Sequence, residues 1–184
     1  LKLLTQKKSN IVIIVSVDGI DKSYNNYKIL EKKFKKSKNI RFIYHKKNMG
    51  SLKNFYFLRD ICKTKYFMWL ADDDIINLET IDKLYNLLSK NPNACTAVPY
   101  WELHNGKNKK LIKPCYYESN SITVRVINYL CKNDDAFFYG LHKTKFLKNC
   151  KFKSYFWPNR TVLSNWCYVF QMDLILQGKI IFLN

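Results

Sequence analysis

The sequence predicts an α/β fold in which helices flank both faces of a mostly parallel sheet, with an antiparallel portion in the second half of the chain. The first observation is a continuous apolar, β-branched segment, residues 10–17, which has the pattern of a central strand buried on both faces. The second is an alternation of strand and helix patterns that continues to about residue 98. The third is a hairpin pattern beyond residue 99, which predicts the antiparallel portion.

In the first half of the chain, apolar residues at spacings of three and four mark the helices, and short apolar runs mark the strands. The polar segment 48–50 separates two of these elements, and Asn77 is the predicted N-cap of a helix that Asn91-Pro92 ends. The predicted elements, in order, are a strand over 10–17, a helix over 24–38, a strand over 40–44, a helix over 52–62, a strand over 66–70, a helix following Asn77, and a strand over 94–98.

In the second half, Asn105-Gly106 has the residues of a tight hairpin turn between strands over 100–104 and 110–117. The remaining predicted elements are a helix over 121–131, a short strand over 136–142, a helix from about 164 that Gly178 ends, and a final strand over 179–183. The sequence contains no internal repeat and no flexible linker.

Length and composition favour one folded domain. The chain has 184 residues, of which 47% are hydrophobic and 16% aromatic, and this excludes a disordered chain. No apolar run reaches the roughly 18 residues of a membrane span, so we expect no transmembrane helix. The chain opens with Leu1 and has no signal-peptide pattern, so we expect a piece of a longer protein.

The charge is strongly positive. Thirty-two Lys and Arg residues against 14 Asp and Glu give a net charge of +18, which favours a polyanionic partner such as nucleic acid, an anionic lipid leaflet or a phosphorylated substrate. The alternative is that the abundance of Lys and Asn reflects coding bias in an AT-rich genome. Six cysteines include no CxxC pair, so we expect buried thiols in a reducing cytosol and neither a zinc site nor disulfides.

Acidic residues follow two of the predicted strands. Asp18 follows the first strand, and Asp72-Asp73-Asp74 follows the third. Ligands of open α/β sheets bind at the carboxyl ends of strands, and clustered carboxylates suit Mg²⁺ or Mn²⁺ with a diphosphate. The alternative is that the three Asp residues begin a surface loop and cap the next helix.

Several segments, in order and spacing, resemble the family 2 glycosyltransferases of the GT-A fold. The nucleotide-binding half of that family is matched by residues 14–21, by Asn48, Gly50 and Asn54, and by residues 66–75. Its acceptor-side half is matched by residues 138–143, 164–166 and 178–180. The resemblance therefore covers nearly the whole chain and implies a Rossmann-like GT-A sheet.

Carried over position by position, the resemblance assigns a role to each matched acidic residue. Asp18 matches the residue that hydrogen-bonds the nucleobase, commonly uracil, while Asn48, Gly50 and Asn54 match a segment beside the nucleoside. Asp72 matches the carboxylate that faces the ribose. Asp73 and Asp74 match the region that binds the divalent metal, Mn²⁺ or Mg²⁺, which neutralises charge on the departing nucleoside diphosphate.

The sequence departs from the family pattern in three features. Ala71 stands where many relatives have the first Asp of the DxD motif, and an apolar strand expected ahead of residue 10 is missing. Asn165 stands where relatives have the catalytic base, and a neutral amide cannot accept a proton. Asp134 and Asp135, and then Asp173, are the alternative bases. His104 and His142 are either further metal ligands or packing residues, and Lys143 is either a phosphate contact or a surface lysine.

The expected protein is therefore one GT-A domain over 1–184, with a nucleotide-sugar-binding half, 1–98, and an acceptor-side half, 99–184, truncated at its start and with truncation at its end left open. We expect it to transfer a sugar, with inversion, from a nucleotide-diphosphate donor to a glycan or lipid-linked glycan in bacterial surface polysaccharide synthesis. A cytoplasmic location at the inner membrane face fits the basic surface, and no nucleic acid is expected. The rivals are a noncatalytic nucleotide-sugar-binding or glycan-binding remnant and a nucleotidyltransferase.

Overall fold

The computed structural model describes residues 10–20, 24–105, 108–112, 117–132, 136–150 and 166–183. The chain packs as two compact units that divide between Cys62 and Lys63. We call them the first and the second unit and describe each by itself. The predicted organisation as one domain with halves 1–98 and 99–184 stays a prediction.

The first unit is built on a pair of parallel strands, β1 (Ile13–Val17) and β2 (Ile40–Tyr44), with Ile13 opposite Ile40 and Val17 opposite Tyr44. Helix α1 (Tyr24–Phe34) connects them, and helix α2 (Ser51–Ile61) follows β2. The predicted strand over 40–44 is confirmed at both ends. The helix predicted over 24–38 is shorter, because the chain leaves the helix at Phe34 within a run of lysines that repel one another.

The second unit contains strands β3 (Tyr66–Met68), β4 (Ala94–Pro99), β7 (Leu141–Lys143) and β8 (Lys179–Leu183). They form one sheet in the order β3-β7-β4-β8. Strand β7 is antiparallel to both of its neighbours, whereas β4 and β8 are parallel. The carboxyl ends of β3, β4 and β8 therefore lie at the edge where β7 begins.

Helices cover this sheet because their apolar stripes match its buried side chains. Helix α3 (Leu78–Lys90) packs Leu84 and Leu88, both fully buried, against the core of β4, β7 and β8. A second buried group brings together three aromatic side chains, Tyr117, Tyr129 and Phe137. The remaining helices are α4 (Ile122–Lys132), α5 (Thr144–Asn149) and α6 (Trp166–Gln177).

The predicted hairpin is confirmed, because β5 (Trp101–Asn105) pairs antiparallel with β6 (Asn108–Ile112). Its predicted bounds were wrong in part: Asn105, predicted in the turn, pairs with Asn108 as the last residue of β5. The strand predicted over 136–142 is wrong in part, because Ala136–Tyr139 forms a 3-10 helix and only Leu141–Lys143 is a strand. Phe137 and Phe138 are both buried. Neighbouring residues of a strand point to opposite faces of the sheet, so the burial of both rings does not require a strand. The short helix α5 was not predicted.

Two buried cations bind backbone carbonyl groups in the second unit. The Nζ of Lys143 donates to the carbonyl oxygens of Asn91 and Pro92, at 2.6 and 3.0 Å, just beyond the end of α3. The guanidinium of Arg125 donates to Ile175 O at 2.9 Å and to Ser119 O at 2.8 Å. The interpretation of Lys143 as a surface lysine is therefore wrong: it is buried, and its burial lowers its pKa.

His142 connects β7 to β4 and to the 3-10 helix. Its Nδ1 lies 2.8 Å from Thr96 Oγ1, and its Nε2 lies 3.0 Å from Phe138 O. The carbonyl can only accept, so Nε2 carries the hydrogen and Nδ1 accepts from Thr96. Both ring nitrogens are occupied in the protein core, as the packing interpretation of this residue predicted. Burial lowers the pKa of His142 to about 4.

This histidine should make stability depend on pH. The pKa of His142 in the folded protein lies below its ordinary value of 6.5, so the unfolded chain takes up the proton first as the pH falls. The stabilisation of the folded state by neutral His142 is therefore complete above pH 6.5 and is lost as the pH falls toward 4. We expect the free energy of unfolding to fall there by up to about 1.4 kcal/mol per pH unit from this group. Urea unfolding of the wild type and of H142Q at several pH values measures it, and equal slopes for the two proteins would contradict the assignment.

Candidate nucleotide and metal sites

The carboxylate of Asp18 holds a loop at the carboxyl end of β1. Its Oδ1 accepts a hydrogen bond from the Met49 backbone N–H at 2.7 Å, and its Oδ2 accepts one from the Gly50 N–H at 2.9 Å. The side-chain Oδ1 of Asn48 lies 2.9 Å from the same Gly50 N–H. Three predicted nucleotide-site residues, Asp18, Asn48 and Gly50, are therefore in direct contact.

Two glycines allow this close arrangement. Gly50 has φ 83° and Gly19 has φ 96°, values in the left-handed region that favours glycine. A Cβ at Gly19 would lie 2.9 Å from the backbone nitrogen of Asn48. The loop can cross the end of β1 only because position 19 has no side chain.

A polar network lies beside this loop. The Ser16 hydroxyl donates to Asn54 Oδ1 at 2.5 Å and lies 3.0 Å from His45 Nε2. Because the Ser16 proton goes to Asn54, the His45 Nε2–H donates to Ser16. Asn54 is buried on α2, and this network holds it in place. Sequence reasoning missed Ser16 and His45, although a serine inside an otherwise apolar strand was a signal.

The three Asp residues occupy an exposed turn after β3. The Asp74 backbone N–H donates to Ala71 O at 3.3 Å, which closes the turn. Helix α3 is capped by Asn77, as predicted: its Oδ1 accepts from the Thr80 N–H at 2.7 Å. Asn77 therefore supplies the cap that the alternative interpretation had given to the Asp residues.

Asp73 and Asp74 lack a cationic partner among the residues that the structure describes, although the whole chain contains 32 Lys and Arg. The pKa of Asp74 is raised, first by partial burial and then by the charges of Asp73 and Asp72. Like charges held this close are stabilised by a cation. Asp73 and Asp74 are therefore candidate ligands of a divalent metal.

Within the described ranges, no three His, Cys, Asp or Glu side chains form a group that could hold a metal ion. A metal bound here would consequently take one or two carboxylates from the protein and its other ligands from phosphate and water. Mg²⁺ sites at nucleotide phosphates commonly have this composition. Asp73 and Asp74 thus fit a metal that binds together with a diphosphate.

The edge of the sheet that bears the Asp residues also bears the 3-10 helix Ala136–Tyr139. Trp69, just after β3, has its ring centroid 6.2 Å from that of Phe138. Gly140, between this helix and β7, packs too closely against β4 to carry a side chain, because a Cβ there would lie 2.7 Å from Thr96 Cγ2.

Of the candidate bases, Asp173 lies among the described residues. Asn165, Asp134 and Asp135 lie outside the described residues, so their roles stay predictions. Asp173 is half-buried on α6, seven residues after the first residue of that helix, Trp166. His104, the other predicted alternative ligand, lies on the hairpin with its Nε2 3.0 Å from Glu102 Oε2.

Comparison with known proteins identifies the family. The sequence profile described as glycosyl transferase family 2 matches residues 1–158. The chain belongs to this family. The resemblance seen in the motifs is thereby confirmed, and the chain is a glycosyltransferase domain. A comparison with curated proteins gave no match.

The crystal structure of S. aureus TarS residues 1–349 is similar in fold, with a TM-score of 0.72 and 15% sequence identity. The similarity covers 97% of this chain and 50% of that chain, so the chain spans half the length of that TarS fragment. This similarity and the family match confirm the predicted GT-A fold. In the part of the chain that the structure describes, no helix has the length and apolar character needed to cross a membrane.

The Asp18 contacts predict a specific loss of order. In Asp18→Asn, one of the two carboxylate oxygens becomes an NH₂ group, which cannot accept from a backbone N–H. We expect the Met49 and Gly50 amides to exchange faster with solvent and the protein to lose about 2 kcal/mol of stability. Hydrogen exchange by NMR measures the first and urea unfolding the second. Asp60→Asn, at an exposed carboxylate on α2, is the matched control.

Unchanged exchange at Met49 and Gly50 in Asp18→Asn would contradict the structural role of this carboxylate.

Proposed function

We propose that the domain transfers a sugar, with inversion, from a UDP-sugar to a hydroxyl group of a glycan or lipid-linked glycan acceptor in surface polysaccharide synthesis. The observation that supports this most strongly is the turn after β3. There Asp73 and Asp74 have no cationic partner among the described residues, and Asn77 rather than an Asp caps the next helix. A metal–diphosphate group supplies the charge that these carboxylates need.

In the first unit, the carboxylate of Asp18 can accept hydrogen bonds from the loop and from the nucleobase at the same time. A carboxylate has about four acceptor positions, and the two bonds to Met49 and Gly50 use only two of them. The remaining positions suit the N–H of a uracil ring. Asn48 uses its carbonyl oxygen within the loop, which leaves its amide hydrogens to donate. Asn54, whose oxygen accepts from Ser16, acts as a positioning residue.

In the second unit, Asp73 and Asp74 are the proposed metal ligands, and Asp72 the proposed ribose contact. When bound, Mn²⁺ or Mg²⁺ would neutralise negative charge that develops on the departing diphosphate. The carboxylates must be ionised to bind it, and the pKa of Asp74 is raised. Metal binding should therefore weaken as the pH falls toward that pKa.

The acceptor side needs a base that takes the proton of the attacking hydroxyl. Asn165 cannot do so, because an amide has no basic site at neutral pH. Asp134 or Asp135 is the proposed base, since both directly precede the 3-10 helix at the edge of the sheet that bears the Asp residues. Asp173 is the weaker candidate because it is half-buried within α6.

We further propose that residues 1–184 form one domain of a bacterial enzyme that works in the cytoplasm at the inner membrane face. The buried thiols of Cys62, Cys95 and Cys150 support a reducing compartment, and burial raises the pKa of Cys95 to about 12. Cys131 departs from the expectation of buried thiols, because it is exposed.

One observation favours a second candidate function. With an amide at position 165, the domain could bind nucleotide-sugar without transferring it. The two candidates share the donor site and differ in turnover, so the activity of variants at the acceptor side separates them.

Donor binding should depend on the metal. Calorimetry of the chain with UDP and Mn²⁺ should show binding that EDTA removes. Asp73→Ala and Asp74→Ala should each weaken it by roughly tenfold or more, because a carboxylate ligand is lost. Asp134→Ala is the control, and its donor affinity should stay unchanged. Equal UDP affinity with and without EDTA would exclude the metal role, and equal losses in all three variants would show that the donor site is misplaced.

Asn165→Asp should raise turnover. A general base typically contributes 10²–10⁴-fold in rate, so restoring a carboxylate at this position should increase sugar transfer or donor hydrolysis by about that range. UDP affinity should hardly change, because the base acts on the acceptor. Release of UDP from a UDP-sugar in a coupled assay measures it.

The paired variant is Asp135→Ala. If it abolishes turnover while Asn165→Asp has no effect, the base lies at 134–135. If neither change alters a measurable activity, the acceptor-side assignment is wrong and only the donor site stands.

A further inference from the structure

One stretch of the chain carries a large share of its positive charge. Residues 28–47 contain nine Lys and Arg residues and a single acidic residue, Glu31. These 20 of the 184 residues therefore carry a net charge of +8 out of +18. Composition bias spread evenly along the chain does not produce such a cluster, so the stretch needs its own explanation.

Helix α1, at the start of this stretch, has two different sides. Toward β2, Tyr24 packs edge-on against Tyr44 with ring centroids 5.3 Å apart, and Lys28 Nζ lies 3.6 Å from the centroid of the Tyr44 ring. Lys28 also pairs with Glu31 at 3.1 Å. The one acidic residue of the helix is therefore neutralised on its inner side.

The other side of the helix is exposed and basic. Ile29 is 65% exposed, and Lys32 and Lys33 follow it at helical spacing. Lys35 and Lys36 continue this surface in the turn after the helix. None of the four lysines has a carboxylate partner among the described residues. We call these five residues, Ile29, Lys32, Lys33, Lys35 and Lys36, the α1 lysine face.

We propose that the α1 lysine face binds the surface of an anionic lipid bilayer. Clustered lysines on a helix bind anionic headgroups, and an aliphatic side chain among them can enter the boundary between headgroups and acyl chains. Ile29 has the position for this, with ammonium groups on its C-terminal side. Ile20, 70% exposed before the helix, adds apolar surface in the same unit.

A bilayer fits this face better than a nucleic acid does. Proteins that bind single strands present aromatic rings on which bases stack. Here the aromatic residues of α1, namely Tyr24, Tyr27 and Phe34, are half-buried, and the exposed apolar residue is aliphatic. An isoleucine has no favourable contact with a phosphate backbone, whereas the acyl boundary accepts it.

The test measures binding of the whole chain to vesicles by co-sedimentation. Vesicles of phosphatidylcholine alone are compared with vesicles that contain about 30% phosphatidylglycerol, at about 0.1 M salt. We expect binding to the anionic vesicles only. Each lysine near such a surface contributes about fivefold, so K32Q/K33Q/K35Q/K36Q should weaken binding by well over tenfold. I29S should weaken it about threefold without changing the charge.

The matched control is K63Q/K110Q/K145Q/K148Q, which removes the same charge from four exposed lysines of the second unit. Because all eight lysines are exposed, both variants should keep the thermal unfolding midpoint of the wild type. Equal losses in the two quadruple variants would show attraction by net charge alone and overturn the proposal. Unchanged vesicle binding by I29S, together with tighter binding to a poly(dT) 20-mer than to vesicles, would assign the face to nucleic acid instead.

This proposal does not rest on glycosyl transfer. UDP calorimetry on the same variants keeps the two separate, because none of the substituted lysines lies among the proposed donor-site residues. A loss of vesicle binding with unchanged UDP affinity is the result we expect.

Discussion

The first unit depends on the carboxylate of Asp18. The parallel pairing of β1 with β2 brings the carboxyl ends of both strands to one edge, with Val17 opposite Tyr44. The loop that follows β2 then exposes two successive N–H groups, at Met49 and Gly50, which need an acceptor. Asp18 supplies both acceptor atoms, so the residue proposed to bind the nucleobase also builds the loop around it. If Asp18 binds the nucleobase as proposed, a substitution there changes loop order and nucleotide affinity together.

The second unit depends on the insertion of β7 between two parallel strands. Its antiparallel direction places the 3-10 helix Ala136–Tyr139 at the carboxyl ends of β3 and β4. His142 fixes this arrangement by bonding to Thr96 on one side and to Phe138 on the other. A buried neutral histidine thus positions the segment that directly follows Asp134 and Asp135.

Local sequence patterns predicted the structural features that depend on residues close together in the sequence. The strand over 40–44 follows from its short apolar run, and the cap at Asn77 follows from the side-chain chemistry of that residue. The hairpin follows from turn residues between two strand patterns. Each of these signals lies within a few positions of the feature that it predicts. Lys143 was misassigned because its carbonyl partners, Asn91 and Pro92, lie about fifty residues away. Ser16 and His45 were missed for the same reason: their contact exists only once β1 and β2 are paired in register.

The electrostatics of the Asp72–74 turn cannot be understood from net charge. The chain has 32 cationic and 14 acidic side chains, yet Asp73 and Asp74 have no cationic partner among the described residues. Lys143 and Arg125, both buried in the same unit as this turn, donate to backbone carbonyl groups instead. Surface ion pairs contribute little, so nothing forces a lysine to pair with Asp73 or Asp74. We therefore propose that these two adjacent carboxylates bind a dication that arrives with its own phosphate ligands.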